Sequence, residues 1–180
     1  MARMFDPTKS HEDSGRVNAA GVYPARIASA KLESTKNGTE YVEAYFQVLG
    51  DSDSSGGRVR DALFLTEKSE KRLAALCITV GAIEPFALDD PTALRGALVG
   101  KTLIIDVREQ HREYEDRSSG ETKQGTFYEI EPWNGFRKMP EDRKEEFPDL
   151  DPSTMGGDDS GAGDPTRGGG SPPPQDDMPF

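Results

Sequence analysis

Cysteine and histidine are almost missing from this chain: Cys77 is the one thiol, and His11 and His111 are the two imidazoles. A lone thiol excludes a disulfide framework and a thiolate metal cluster. Two histidines a hundred positions apart fall short of the ligand set that zinc needs. No apolar run approaches the ~20 residues that cross a bilayer. The opening stretch, MARMFDPTKSHEDSG, has no apolar h-region of the kind a secretory signal carries. Catalytic signatures are missing too, since no Ser/His/Asp order, HExxH or GxxxxGK[ST] occurs. The segment DSDSSGG at 51–57 lacks the acidic spacing and closing Glu of a calcium loop and reads as a solvated loop. The expectation is a non-enzymatic protein of the reducing cytoplasm, without metal or cofactor and without a membrane partner.

What is present is acid, and it is unevenly placed. The net charge is −11 over 180 residues. Residues 141–180 hold 11 acids and 3 bases, whereas residues 1–140 hold 22 acids and 19 bases. The front is therefore close to balance and can carry a basic groove, while the acidic end repels nucleic acid or competes for that groove.

Hydrophobic periodicity divides the chain. Residues 1–20 are polar without a period and are expected to form a flexible N-terminal arm. VYPARIASAKLE has the length of a first strand with imperfect alternation, as in a strand that curves and turns its faces. Asn37-Gly38 marks a hairpin, because both residues accept positive φ. YVEAYFQVL alternates cleanly, with Val42, Ala44, Phe46 and Val48 on one face and Tyr41, Glu43, Tyr45 and Gln47 on the other. RVRDALFLT is a third strand with Val59, Leu63 and Leu65 inward and Arg58, Arg60 and Phe64 opposite. A helix is predicted over EKSEKRLAALCITV, capped by Thr66 and ended by Gly81, and a short second one over TALRGALVG. KTLIIDVREQHREY and TFYEIEPW are the fourth and fifth strands. The order β-β-β-α-β-β predicts a mainly β protein: a five-stranded OB-fold-like barrel over residues 21–138. Beyond it, residues 139–175 read as a disordered acidic linker. Residues 151–175 contain 7 Gly, 5 Pro and 3 Ser, too little apolar surface to offset the entropy of ordering.

The residues that could carry function favour binding. Tyr41 and Tyr45 stand away from the core face of the second strand, where rings can stack on unpaired bases. Arg58 and Arg60 occupy the outward register of the third strand and can meet phosphates beside those rings. Lys36 sits at the first hairpin tip. Arg117 and Lys123 lie between strands four and five, and Arg108 and Arg112 share a face of strand four. In OB-folds the loops joining strands one to two and four to five flank the ligand groove. Trp133 follows strand five. Each also has a plainer reading: outward tyrosines pair across strands, surface cations are solvated, and Trp133 can close the core.

The chain ends in DDMPF, Asp176, Asp177, Met178, Pro179 and Phe180. An exposed terminal Phe joins a ring to a carboxylate, which suits a pocket with an apolar floor and a basic rim. The two aspartates add steering and Pro179 limits the entropy lost on docking. A linker of some 25 residues spans roughly 25–30 Å as a coil, enough to reach a partner. This tip resembles that of bacterial single-stranded DNA-binding proteins, in which an OB-fold, a Gly/Pro-rich linker and an acidic tip follow in the same order. The resemblance implies that residues 176–180 recruit replication, recombination and repair proteins.

The front, about residues 20–137, is similar to small phage-encoded proteins found among replication and recombination genes. The likeness rests on Gly21, Tyr23, Lys36-Asn37-Gly38, Tyr41, Gly57-Arg58 and Leu98-Val99-Gly100-Lys101. It implies a phage single-stranded DNA-binding protein, with the oligomeric state open and a homo-oligomer possible. The alternatives are an OB-like protein-interaction adaptor without DNA affinity, or a nuclease with an unrecognised site.

Overall fold

Apolar alternation builds the sheet of this protein, whose computed structural model describes residues 15–116 and 118–155. Strand β1 (Gly21–Ser34) runs antiparallel to β2 (Glu40–Val48), and β2 to β3 (Arg58–Phe64). The other edge of β1 pairs with β4 (Thr102–Glu115), which continues into β5 (Thr122–Ile130) and the short β6 (Phe136–Lys138). The hydrogen-bonded order is β3-β2-β1-β4-β5, with β6 also on β4. The sheet curls until β3 and β5 meet, and among the described residues no ladder joins them. The protein is thus mainly β and antiparallel, with few helices.

Helix α1 (Glu70–Val80) follows β3 and helix α2 (Pro91–Leu98) precedes β4. Leu73, Leu76 and Val80 of α1 recur on one helical face and are buried. Gly81 ends it in the left-handed conformation at φ 78°, its N–H reaching the carbonyls of Cys77 and Ile78. The helix starts at Glu70 rather than beside Thr66, whose carbonyl accepts from the Ser69 and Glu70 N–H groups and makes a preliminary turn. Asp90 caps α2, accepting from the Thr92 N–H at 2.8 Å.

The core lies inside the curl: Ile27, Phe46, Leu63, Leu76, Leu94, Leu98, Leu103 and Ile105 are essentially inaccessible. The uneven alternation of β1 has a local cause. Its register against β2 shifts between Ile27 and Ser29, so Ala25 and Ile27 face inward before the bulge and Ala30 after it. In the hairpin only Gly38 takes a positive φ, 80°, and Asn37 does not, because the turn is closed by the Gly38 N–H on the Thr35 carbonyl.

Three further expectations change. TFYEIEPW is not one strand: β5 begins earlier, at Thr122, and stops at Ile130, and residues 131–135 loop out before β6. The N-terminal arm is fixed in its last part. Val17 is buried, and the Arg58 N–H donates to the Gly15 carbonyl at 2.8 Å. The linker boundary at 139 also shifts. Met139 is buried, helix α3 (Glu141–Glu146) follows, and residues 147–155 return across the domain. Asp149 accepts from the Thr102 N–H and hydroxyl, both at 2.8 Å, and the Leu150 N–H donates to the Gly100 carbonyl. A Cβ on Gly100 would stand 2.1 Å from the Leu150 carbonyl oxygen, so only glycine admits this return. Arg95 donates to the carbonyls of Pro152 and Met155. A few side chains anchor a stretch whose composition alone reads as loose.

Candidate nucleic-acid interface

The register of β2 against β3 sets Tyr41 opposite Phe64, Tyr45 opposite Arg60 and Gln47 opposite Arg58 on the outer face of the sheet. Tyr41 and Phe64 form a tilted ring pair with centroids 5.3 Å apart. Both rings and Tyr45 are half-buried; Arg58 and Arg60 are exposed. Behind them stand Val42, Ala44, Phe46, Val59 and Leu63, so the platform rests on a packed core. Arg16 of the N-terminal segment bridges to Arg58 and lies near Tyr45. Arg60 pairs with Glu43 at 2.5 Å. Burial, with Glu43 adding to it, pushes the Tyr45 hydroxyl above its ordinary value, while its bond to Arg60 works the other way, so the ring stays neutral.

Beyond the curl, β4 and β5 continue as a two-stranded ribbon exposed on both faces. One face carries Arg108, Gln110, Arg112 and Tyr114 opposite Glu129, Phe127, Gly125 and Lys123. Arg108 and Arg112 grip the two oxygens of Glu129, at 2.6 and 2.5 Å. Tyr114 and Phe127 meet edge to face at 6.4 Å. Their rings close over Gly125, where a Cβ would stand 3.0 Å from each. Lys123 pairs with Asp116, and that bond, together with those from Ser118, holds the Asp116 carboxyl well below the usual range. The opposite face is acidic, with Glu109, Glu113 and His111, the last 2.9 Å from Glu109.

Between platform and ribbon runs the β3–β5 seam, pinned by one guanidinium. Asp61 sits inward between Val59 and Leu63 and pairs with Arg72 of α1 at 2.5 Å. Arg72 also donates to the Ile130 and Glu131 carbonyls, both at 3.2 Å, and lies over the Phe136 ring at 5.1 Å. Burial raises the Asp61 carboxyl despite Arg72, which pulls it down. From this pin the loop 131–135 carries Trp133, 87% exposed.

The predicted residues therefore divide. Tyr41, Tyr45, Arg58 and Arg60 come together on the platform; Arg108, Arg112 and Lys123 lie on the ribbon; Lys36 is exposed at the hairpin tip; Trp133 stands at the seam and does not close the core. Arg117 and the tip Asp176–Phe180 lie outside the described residues. Arg16, Phe64, Tyr114 and Phe127 join these residues in addition to those the sequence pattern points to. Phe64 shares the outward register of Arg58 and Arg60, a signal available in the sequence. The Tyr114–Phe127 pair needs the hairpin register, which periodicity does not supply. Among the described residues no cluster of three or more metal-ligating side chains occurs, and no helix is long and apolar enough to cross a membrane.

No curated protein matches the chain. A family model, described as a protein of unknown function (DUF669), matches residues 5–138. The match ends with β6, so it covers sheet, platform, seam and ribbon and leaves out α3 and everything after it. The chain belongs to the DUF669 family.

Proposed function

We infer that this protein binds single-stranded DNA, without turnover and with little sequence preference, on the outer face of β2 and β3. The observation that carries the reading is the platform: Tyr41, Phe64 and Tyr45 offer rings beside Arg16, Arg58 and Arg60, all backed by core. Every base has a π-face, so such a surface holds unpaired strands by stacking while cations meet phosphates. A duplex hides its base faces and fits poorly.

The strand arrangement supports an OB-type barrel. Order β3-β2-β1-β4-β5, contact between β3 and β5, and a helical connection, here α1 and α2, between β3 and β4 are compatible with that fold. In it the β2–β3 face is the ligand side, and the ribbon with its aromatic pair flanks it. The C-terminal tip completes the proposal. Asp176, Asp177 and Phe180 suit a basic-rimmed, apolar-floored pocket on a replication, recombination or repair protein of a phage-infected bacterial cytoplasm.

A second reading, a protein-interaction adaptor, draws on one feature: Glu43, Glu129 and Asp116 already pair with Arg60, Arg108, Arg112 and Lys123. One titration separates the two. Labelled oligo-dT is titrated with the full chain at low and moderate salt, with duplex as competitor. The DNA reading expects tight binding that duplex does not displace. Three phosphate contacts would give roughly 20-fold weaker binding between about 50 and 200 mM salt. Absence of binding at low salt would favour the adaptor.

A further inference from the structure

Trp133 is the single tryptophan of the chain and is 87% exposed, yet its loop is held at Glu131, Trp133, Asn134 and Gly135. Glu131 turns its carboxylate back on the loop and accepts from the Trp133 N–H at 3.0 Å and the Asn134 N–H at 2.5 Å. The Glu131 N–H donates to the Asp106 carbonyl, and the Asp106 N–H returns to the Gly135 carbonyl, at 2.8 and 2.9 Å. Gly135 has no room for a side chain, since a Cβ there would stand 2.1 Å from the Glu131 carbonyl oxygen. Arg72 then ties the Glu131 carbonyl to Asp61 of β3, the strand that carries Arg58 and Arg60 on its outer face. A large ring left in water on so constrained a backbone is preorganised: little entropy is lost when something flat covers it. Its chain neighbours Glu131, Pro132, Asn134 and Gly135 provide no broad apolar patch for a protein surface, which would need a contiguous one. One exposed ring on a held loop suits one flat, π-faced ligand.

We propose that Trp133 is a stacking anchor for an unpaired nucleobase at the β3–β5 seam, and that Glu131, fastened through Arg72 to Asp61, is the residue that positions it. The proposal rests on the single-strand reading above and extends its footprint from the platform across the seam. Trp133 touches the ligand; Glu131 and Arg72 act through it.

Being the only indole, Trp133 reports on itself. The full-length protein is titrated with oligo-dT of about 20 nucleotides, read both by indole emission and by the anisotropy of a label on the DNA. Wild type is expected to lose indole emission in parallel with the rise in label anisotropy. Trp133→Ala should weaken binding about 5- to 150-fold with an unchanged melting curve, because the side chain is exposed. Trp133→Phe should recover part of that loss. Glu131→Ala should lower the indole anisotropy of the DNA-free protein and weaken binding several-fold. Combined with Trp133→Ala it should add almost nothing, since both act through one ring. Glu131→Gln, which keeps an acceptor oxygen, should restore both readings. Binding with unchanged indole emission and an unaffected Trp133→Ala would overturn the anchor while leaving the platform reading intact. Failure of wild type to bind at low salt would remove both. An unchanged indole anisotropy in DNA-free Glu131→Ala would overturn the positioning role alone.

Discussion

The platform on β2–β3 and the ribbon of β4–β5 use the same materials, aromatic rings beside arginines on the outward register of paired strands, and differ in what stands behind them. Platform rings are half-buried and backed by Val42, Ala44, Phe46, Val59 and Leu63. The ribbon has solvent on both sides, so Tyr114 and Phe127 remain 46% and 44% exposed and support one another over Gly125. The cations also differ. On the ribbon Arg108 and Arg112 share one carboxylate, whereas on the platform Glu43 takes Arg60 and the N-terminal segment brings Arg16 beside Arg58. A core-backed face is fixed before it meets a ligand, while a ribbon held by two-stranded pairing alone adapts to one.

Truncating the support of each region should separate them most widely. Phe46→Ala, behind the platform, should cost about 3–5 kcal/mol in urea unfolding. Phe127→Ala on the ribbon should stay within about 1 kcal/mol. Equal losses would mean that the ribbon belongs to the cooperative core.

The seam should come next. Arg72→Met removes the partner of Asp61 and the donors to Ile130 and Glu131, and should cost about 2 kcal/mol. Asp61 adds a pH signature. Its folded-state value lies above the ordinary 3.8. The stability it contributes is therefore fully present below that ordinary value and is lost as pH rises through the raised one. Wild type should gain on Asp61→Asn as pH falls toward 3.8, in paired denaturant titrations. A difference that stays flat with pH would remove Asp61 as a titrating group of the seam.

The smallest effect belongs to the ribbon rings. Gly125→Val must displace both, and should weaken oligonucleotide binding about 5-fold, the low end for one stacked base, with little change in stability. An effect as large as that of Tyr45→Ala would make the ribbon an equal partner of the platform.

Much of this was legible in the residues, and the limits have particular causes. Clean alternation in YVEAYFQVL located β2 and both its faces, because a strand packed on one side must alternate. Gly81 marked the end of α1, since a left-handed cap costs glycine least. The return of residues 147–155 was hidden because it rests on isolated long-range bonds, such as Asp149 to Thr102, rather than on a period. Trp133 was ambiguous for a related reason: a tryptophan beside a strand end can close a core or leave it. Only the loop held by Glu131 turns it outward.

By itself the sequence determined which residues alternate, where the chain turns, how acid is distributed, and that rings and arginines share an outward register. Those properties are local, set by the two-residue period of a strand and the backbone freedom of glycine. Tertiary structure decided which strands are neighbours, that Arg72 joins β3 to β5, that Arg16 bridges to Arg58, and that Tyr114 and Phe127 close over one glycine. Such pairings depend on register and curl, which bring together residues tens of positions apart, and no local period encodes the distance between them.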